Sequence, residues 1–240
     1  MTKQTIDVRE RIIRAAAELL ARGGRQAVST RAVSAAAGVQ APTIYRQFGD
    51  MQGLLDAVAR ETLAGYVRQM ATQERADAPI EDLRRGWNLH VAFGLANPAA
   101  YALIYGDPTT MADASAARDD LAILHGLVVR AAEAGRLQVS VPHAVRLLAA
   151  AGIGVTLSLI ATPPEARDPR LSAAMREAVF AAITIAPTSD GAPDGAPGLG
   201  RVAARAVALR AVLAEAPGVL SLAERHLLGE WLDRLAGADD

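Results

Sequence analysis

Cysteine is missing from this 240-residue chain, and with it go disulfide frameworks, thiolate metal sites and cysteine nucleophiles. Lysine is nearly missing too: Lys3 is the single one among 25 basic residues, which removes Schiff-base and P-loop chemistry and leaves phosphate contacts to arginine. The four histidines, His90, His125, His143 and His226, are scattered without metal-ligand spacing. No G-x-S-x-G elbow, HExxH or Walker sequence occurs. Gly198-x-Gly200-x-x-Ala203 follows a turn-rich stretch instead of a strand, and no βαβ unit surrounds it or Gly152-x-Gly154, so neither reads as a dinucleotide site. These gaps predict a protein that is not an enzyme and holds no cofactor or metal. The most membrane-like stretch, Leu147 to Thr162, is sixteen residues long and rich in Ala and Gly. That is short of the roughly 18 to 20 apolar residues of a spanning helix. The N-terminus lacks the apolar run of a secretory signal. A cytoplasmic protein is expected.

What is present is helix. Alanine and leucine dominate, strand-like alternation is scarce, and apolar residues recur at helical spacing. The first helix opens at Asp7, with Glu10 three residues on as a capping-box-like partner, and Gly23-Gly24 stops it. A second helix starts at Ser29, carries Val33, Ala36 and Ala37 inward, and ends at Gly38. Pro42 suits the start of a third, and Gly49-Asp50 separates that from a fourth, from about Met51 to Arg75. Further helices are expected near 80–96, 98–106, 113–135, 143–162 and 169–186. A low-complexity linker over 187–200 then precedes two amphipathic helices near 201–215 and 221–236. The resulting division is a head over 1–55, a body over 56–186, the linker, and a C-terminal extension over 201–240 whose role the sequence leaves open.

Charge divides along the same line. Residues 1–50 hold eight Lys and Arg against four Asp and Glu, whereas the remainder is net acidic. A basic end suits contact with an anion, although solvated helix faces give the same pattern. Within this end, residues 29–48 spell a short helix, a Gly-centred turn and a second short helix, the geometry of a helix-turn-helix. On the second helix Ile44 and Phe48 mark the buried side. The opposite side then presents Pro42, Thr43 and Arg46, flanked by Tyr45 and Gln47, with Gln40 and Ala41 in the turn. Arginine reads guanine, glutamine reads adenine, and hydroxyls bind phosphate. Ser29, Thr30 and Arg31 at the start of the first of these two helices add a positive dipole end for another phosphate. Geometry alone leaves a plain helical bundle with solvated polar residues equally open.

Residues 10–63 resemble the head of the TetR/AcrR family. The match lies in an I-x-x-A-A-x-x-L-x-x-x-G helix from Ile13 to Gly24, the Ala37-Gly38-Val39 turn, the Thr43-Ile44-Tyr45 core, and Phe48 followed by Leu54-Leu55. The resemblance implies that Thr43 and Tyr45 contact phosphate and that Gln40, Pro42, Arg46 and Gln47 lie at or beside bases. Two positions depart from the family: Gln47 stands where His is usual, and Met51 where many members place a phosphate-gripping Lys. The resemblance further implies an all-α, ligand-responsive repressor that binds a palindromic DNA operator as a homodimer. Its body would bind a small-molecule effector, and the helices near 143–162 and 169–186 would form the dimer interface. Four of the nine aromatics, Trp87, Phe93, Tyr101 and Tyr105, fall within nineteen positions. With His90, Met111, His125 and Met175 they are the expected lining of an apolar ligand pocket. A helical enzyme and a non-catalytic interaction scaffold are the alternatives, and salt-sensitive binding to duplex DNA separates the first reading from both.

Overall fold

The computed structural model describes residues 7–71, 78–106, 115–185, 198–213 and 219–237. Among them are eleven α-helices and no strand. They are α1 (Val8–Ala27), α2 (Thr30–Ala37), α3 (Ala41–Phe48), α4 (Met51–Ala71), α5 (Pro79–Ala96), α6 (Pro98–Tyr105), α7 (Ser115–Glu133), α8 (Val141–Ala161), α9 (Leu171–Ile183), α10 (Gly198–Val212) and α11 (Leu222–Leu235). A 3₁₀ turn, Pro164–Ala166, lies between α8 and α9. The fold is all-α, as its alanine-rich composition requires.

The chain gathers into two compact units. One comprises Met1–Gln73, Leu89–Asp120 and Thr156–Glu165; the other comprises Glu74–Asn88, Leu121–Val155 and Ala166–Asp240. In the first, Ile12, Ala16 and Leu20 of α1 meet Val33, Ile44, Leu54, Leu55 and Val58 in one apolar core. Ala100 of α6 is buried in the same core, with Ala99 and Leu103 packed against it. Emptying one such position, Ile44→Ala for example, costs about 2–5 kcal/mol.

Local chemistry sets the ends of the first helices. The Asp7 carboxylate accepts from Arg9 N–H and caps α1, but Glu10 does not complete a capping box: it pairs with Arg14 one turn on, at 3.1 Å. Gly23 and Gly24 leave helical geometry, Gly24 at φ +64°, and one further helical turn runs on to Ala27. Ser29 caps α2 by accepting from Ala32 N–H, and Gly38, at φ +62°, ends it in the left-handed conformation that glycine adopts without strain. Ala36, expected to face inward, is exposed, because only Val33 and Ala37 of this helix fall on the core side. Asp50 accepts from Gly53 N–H at 2.7 Å and caps α4.

In the second unit, Asp82 is buried and forms ion pairs with Arg85 and Arg130. Leu137 and Thr184 form an isolated antiparallel bridge. Around it Gln138 N–H donates to Ile183 O, Ile185 N–H donates to Arg136 O, and the Gln138 amide donates to the carbonyls of Ala181 and Ala182. One glutamine thus satisfies two carbonyls at the end of α9. Helix α8 is longer than its uncharged stretch indicates, at 21 residues, and is long and apolar enough to cross a membrane. Less than half of its most apolar window is buried within the chain. Helix α10 begins at Gly198, inside the segment read as linker; residues 187–197 lie outside the described residues. Helix α11 carries a complete capping box between Ser221 and Glu224.

Candidate functional site

Helices α2 and α3 form a helix-turn-helix whose polar face is built by burying Ile44 completely and packing half-buried Phe48 against the core. That places Pro42, Tyr45, Arg46 and Gln47 in solvent, with Gln40 exposed in the turn and Ala41 and Thr43 partly covered. Ser29 and Arg31 are exposed, and Thr30 is partly covered. The Tyr45 side chain is 46% exposed, yet its hydroxyl is not free: it hydrogen-bonds Thr30 Oγ1 at 3.0 Å. This bond ties the start of α2 to the middle of α3. Arg11 Nε–H donates to Ala37 O at 2.9 Å, and the Arg9 guanidinium lies over the Phe48 ring at 5.2 Å. Those two arginines brace the head, whereas Arg31 and Arg46 point charge outward. Met51, the position without the usual Lys, packs against the core of the head, so the side chain works there as a hydrophobe.

A second constellation in the same unit surrounds Asp120. Tyr105 donates its hydroxyl to Asp120 Oδ2 at 2.6 Å, Tyr66 donates to the same carboxylate, and His90 Nδ1 lies 3.4 Å from it. His90 Nε2 is 2.7 Å from the hydroxyl of Tyr101, which also hydrogen-bonds Thr156. Asp120 receives His90 Nδ1–H, Tyr105 and Tyr66, while Nε2 of the same ring pairs with the Tyr101 hydroxyl. Burial is the largest influence on the Asp120 carboxyl and pushes it up. The hydrogen bonds and charge of His90 and the two tyrosine hydroxyls outweigh burial and hold it below the ordinary carboxylate range. Burial first, then the nearby carboxylate, push the phenols of Tyr66 and Tyr105 far up; burial does the same to Tyr101. All three are neutral donors at any working pH. The rings interlock, with Tyr101 and Tyr105 at 4.6 Å and Tyr66 and Phe93 at 5.2 Å between centroids.

Of the residues expected to line a ligand pocket, His90, Phe93, Tyr101 and Tyr105 come together in this cluster. Trp87 belongs to the other unit, where its indole N–H donates to Ser172 Oγ at 3.0 Å. Met175 is 38% exposed on α9, and His125 is exposed on α7. Met111 lies outside the described residues. Tyr66, Asp120 and Thr156 are members the sequence reading did not name. Helix α6 joins the two sites: Tyr101 and Tyr105 enter the cluster while Ala99, Ala100 and Leu103 of the same helix pack on the core of the head.

Residues 12–58, from the first buried residue of α1 to Val58 of α4, match the family of bacterial regulatory proteins described as tetR. Over these residues the chain is similar to the head of that family. This TetR-type head sits in a chain whose fold is that of solved TetR regulators. A TetR-family transcriptional regulator from Haemophilus influenzae superposes with a TM-score of 0.53 at 20% identity, covering 77% of this chain and all of that one. The fatty acid degradation regulator FadR of Bacillus halodurans superposes at 0.59 with 21% identity, covering 75% and 95%. FadR of Bacillus subtilis, solved with stearoyl-CoA, superposes at 0.57 with 19% identity, covering 71% and 95%. Identities this low carry the fold alone. No curated protein matches the chain.

Proposed function

We propose that this protein is a ligand-responsive transcriptional repressor that binds a near-palindromic operator in the cytoplasm as a homodimer and is released by a small apolar or aromatic molecule. The observation that carries the reading is the outward face of α3, where Arg46, Gln47, Pro42 and Tyr45 stand exposed on a helix anchored by fully buried Ile44 and bonded through Tyr45 to Thr30. A solvated bundle face has no need of that bond. A rigid reading head does, because base contacts discriminate only from a fixed register. Arg46 and Gln47 serve as base readers, and Thr43, Tyr45 and Arg31 serve as phosphate contacts.

For the dimer, the uncovered side of α8 presents Ala150 and Gly154, and α9 presents Ala174, Met175, Ala178 and Ala182. Small residues permit close helix approach, and uncovered apolar surface of this kind favours burial against a second copy. Arg146 on the same side of α8 argues against a lipid-facing helix. For the response, the stearoyl chain of the acyl-CoA bound by FadR of Bacillus subtilis is in keeping with an effector whose apolar part meets the aromatic shell of Phe93, Tyr101 and Tyr105. Moving Tyr101 or Tyr105 moves α6, and α6 rests on the head. The ligand must favour the conformation that no longer fits the groove, since equal affinity for both states shifts nothing.

Fluorescence anisotropy on duplexes tests the reading. The chain should prefer its own upstream region to random duplex, with affinity falling by orders of magnitude between about 50 and 200 mM salt. Equal, salt-insensitive binding to both would remove it.

A further inference from the structure

The two C-terminal helices, which the sequence leaves without a role, wall a cleft in the second unit. It has a volume of about 550 Å³, within the roughly 300–1,000 Å³ of small-molecule sites. One side comes from α7 and the beginning of α8, through His125, Val129, Ser140, Val141, Pro142 and Arg146. The other comes from α10, through Val207, Arg210 and Ala211, and from Asp233 and Ala236 at the end of α11. More than half of these residues are apolar, which suits a hydrocarbon or aromatic body and not a sugar.

The polar residues are unevenly charged. Arg210 Nε lies 3.3 Å from Asp233 Oδ1, so that carboxylate already has a cation. Its guanidinium lies across buried Gly229, where a Cβ would come within 3.4 Å of Cζ, so the absence of a side chain there lets the group lie flat against α11. Arg146 has no carboxylate or hydrogen-bond partner among the described residues, while it lines the same cleft. Two arginines against one aspartate leave a single positive charge to be matched. Asp233 opposes a second negative charge, which disfavours phosphomonoesters and nucleotides.

We infer that this cleft is a binding site for a small apolar monocarboxylate, whose carboxylate meets Arg146 and Arg210 while its body lies against Val129, Val141, Pro142 and Val207. The site gives the α10–α11 pair a function, that of its outer wall. It does not depend on the DNA-binding reading, because binding is measured on the free protein.

Isothermal titration of the full chain with benzoate, 4-phenylbutyrate and octanoate, each beside its alcohol counterpart, is the test. At least one carboxylate should bind, and its alcohol should bind about tenfold more weakly. Arg146→Gln, a change at an exposed position, should bring the carboxylate down to the level of the alcohol and leave the alcohol within twofold. Ala211→Trp should fill the cleft and abolish both. Binding by none of the three acids overturns the proposal, as does equal affinity for acid and alcohol, or carboxylate affinity unchanged in Arg146→Gln. If Ala211→Trp fails to fold, the Arg146 comparison decides alone. An unchanged salt-sensitive DNA affinity in Arg146→Gln would show that a negative result here leaves the regulator reading standing.

Discussion

Asp120→Ala withdraws the acceptor from two buried tyrosine hydroxyls at once, Tyr105 at 2.6 Å and Tyr66, and from the longer His90 contact at 3.4 Å. A buried hydroxyl left without a partner costs about 1–3 kcal/mol, so the pair gives a loss of about 2–6 kcal/mol, with little added by the long His90 contact. Set against a typical margin of about 5–15 kcal/mol, that is a large share of the stability. For a chain of this length, at about 2–4 °C per kcal/mol, it corresponds to a fall in Tm of roughly 4–24 °C, followed by far-UV circular dichroism. Asp120→Asn keeps an acceptor and should lose less than half as much at neutral pH. The charge shows itself in acid. Because the folded carboxyl titrates below its unfolded value, its contribution is present in full above the ordinary carboxylate range of about pH 4 and is lost as pH falls through the folded value. The wild-type Tm should therefore drop more steeply than that of Asp120→Asn from about pH 5 downward. A cost under about 1 kcal/mol for Asp120→Ala, or parallel pH profiles for wild type and Asp120→Asn, would refute the idea of a closed, mutually satisfied cluster.

Arg46→Ala should relax discrimination at one base position by about 1–3 kcal/mol, whereas Tyr45→Phe, which also breaks the bond to Thr30, should weaken every sequence alike; anisotropy over a panel of single-base operator variants separates the two. Gly154→Glu should yield monomers in sedimentation with unchanged helicity, since Gly154 is exposed and nothing lies near an added Cβ; Gly152 is buried within the protomer and would report on folding instead. Deleting residues 188–240 should leave the dimer intact, and monomers from that truncation alone would move the interface to α10 and α11. Gly94→Ala should cost about 1–3 kcal/mol in urea unfolding, because its Cβ would fall against Thr156 Cγ2 and 2.9 Å from Tyr101 Cδ2.

The head was legible because its instructions are local. Ser29, Gly38, Gly49 and Asp50 each act within three or four residues, and the angular spacing of Ile44 and Phe48 fixes which side of α3 faces solvent. The exceptions are two: Glu10 takes Arg14 one turn on instead of the backbone at the cap, and Ala36, one residue short of the turn that sets Ala37 beside Val33, falls on the solvent side. The Asp120 cluster was half legible. Four of its aromatic or imidazole members crowd a short stretch and could be named together, but Tyr66, Asp120 and Thr156 arrive from α4, α7 and α8. No spacing rule connects residues that far apart, and an aspartate beside Asp119 in a helix reads as solvated until tertiary packing closes over it. Arg146 and Arg210 were invisible as a pair for the same reason.

The bridge between Leu137 and Thr184 turns the whole of α8, the 3₁₀ turn and α9 into a loop of chain fastened at its base. Ordering a free segment costs about 1–2 kcal/mol per residue, a cost that association bears when a surface is assembled only on contact. Here the fastening belongs to the protomer, so the ordering is complete before a second copy arrives. Pairing through these helices, as proposed above, would then be a rigid docking event, with an association rate in the ordinary range of about 10⁵–10⁷ M⁻¹s⁻¹ and little dependence on denaturant below the unfolding transition. Even with the connecting turn severed, the two helices should leave a gel-filtration column together, because the clasp and the bonds of α9 to α5, Arg84 to Glu177, Trp87 to Ser172 and Arg176 to Asn88, do not need the continuity of the chain.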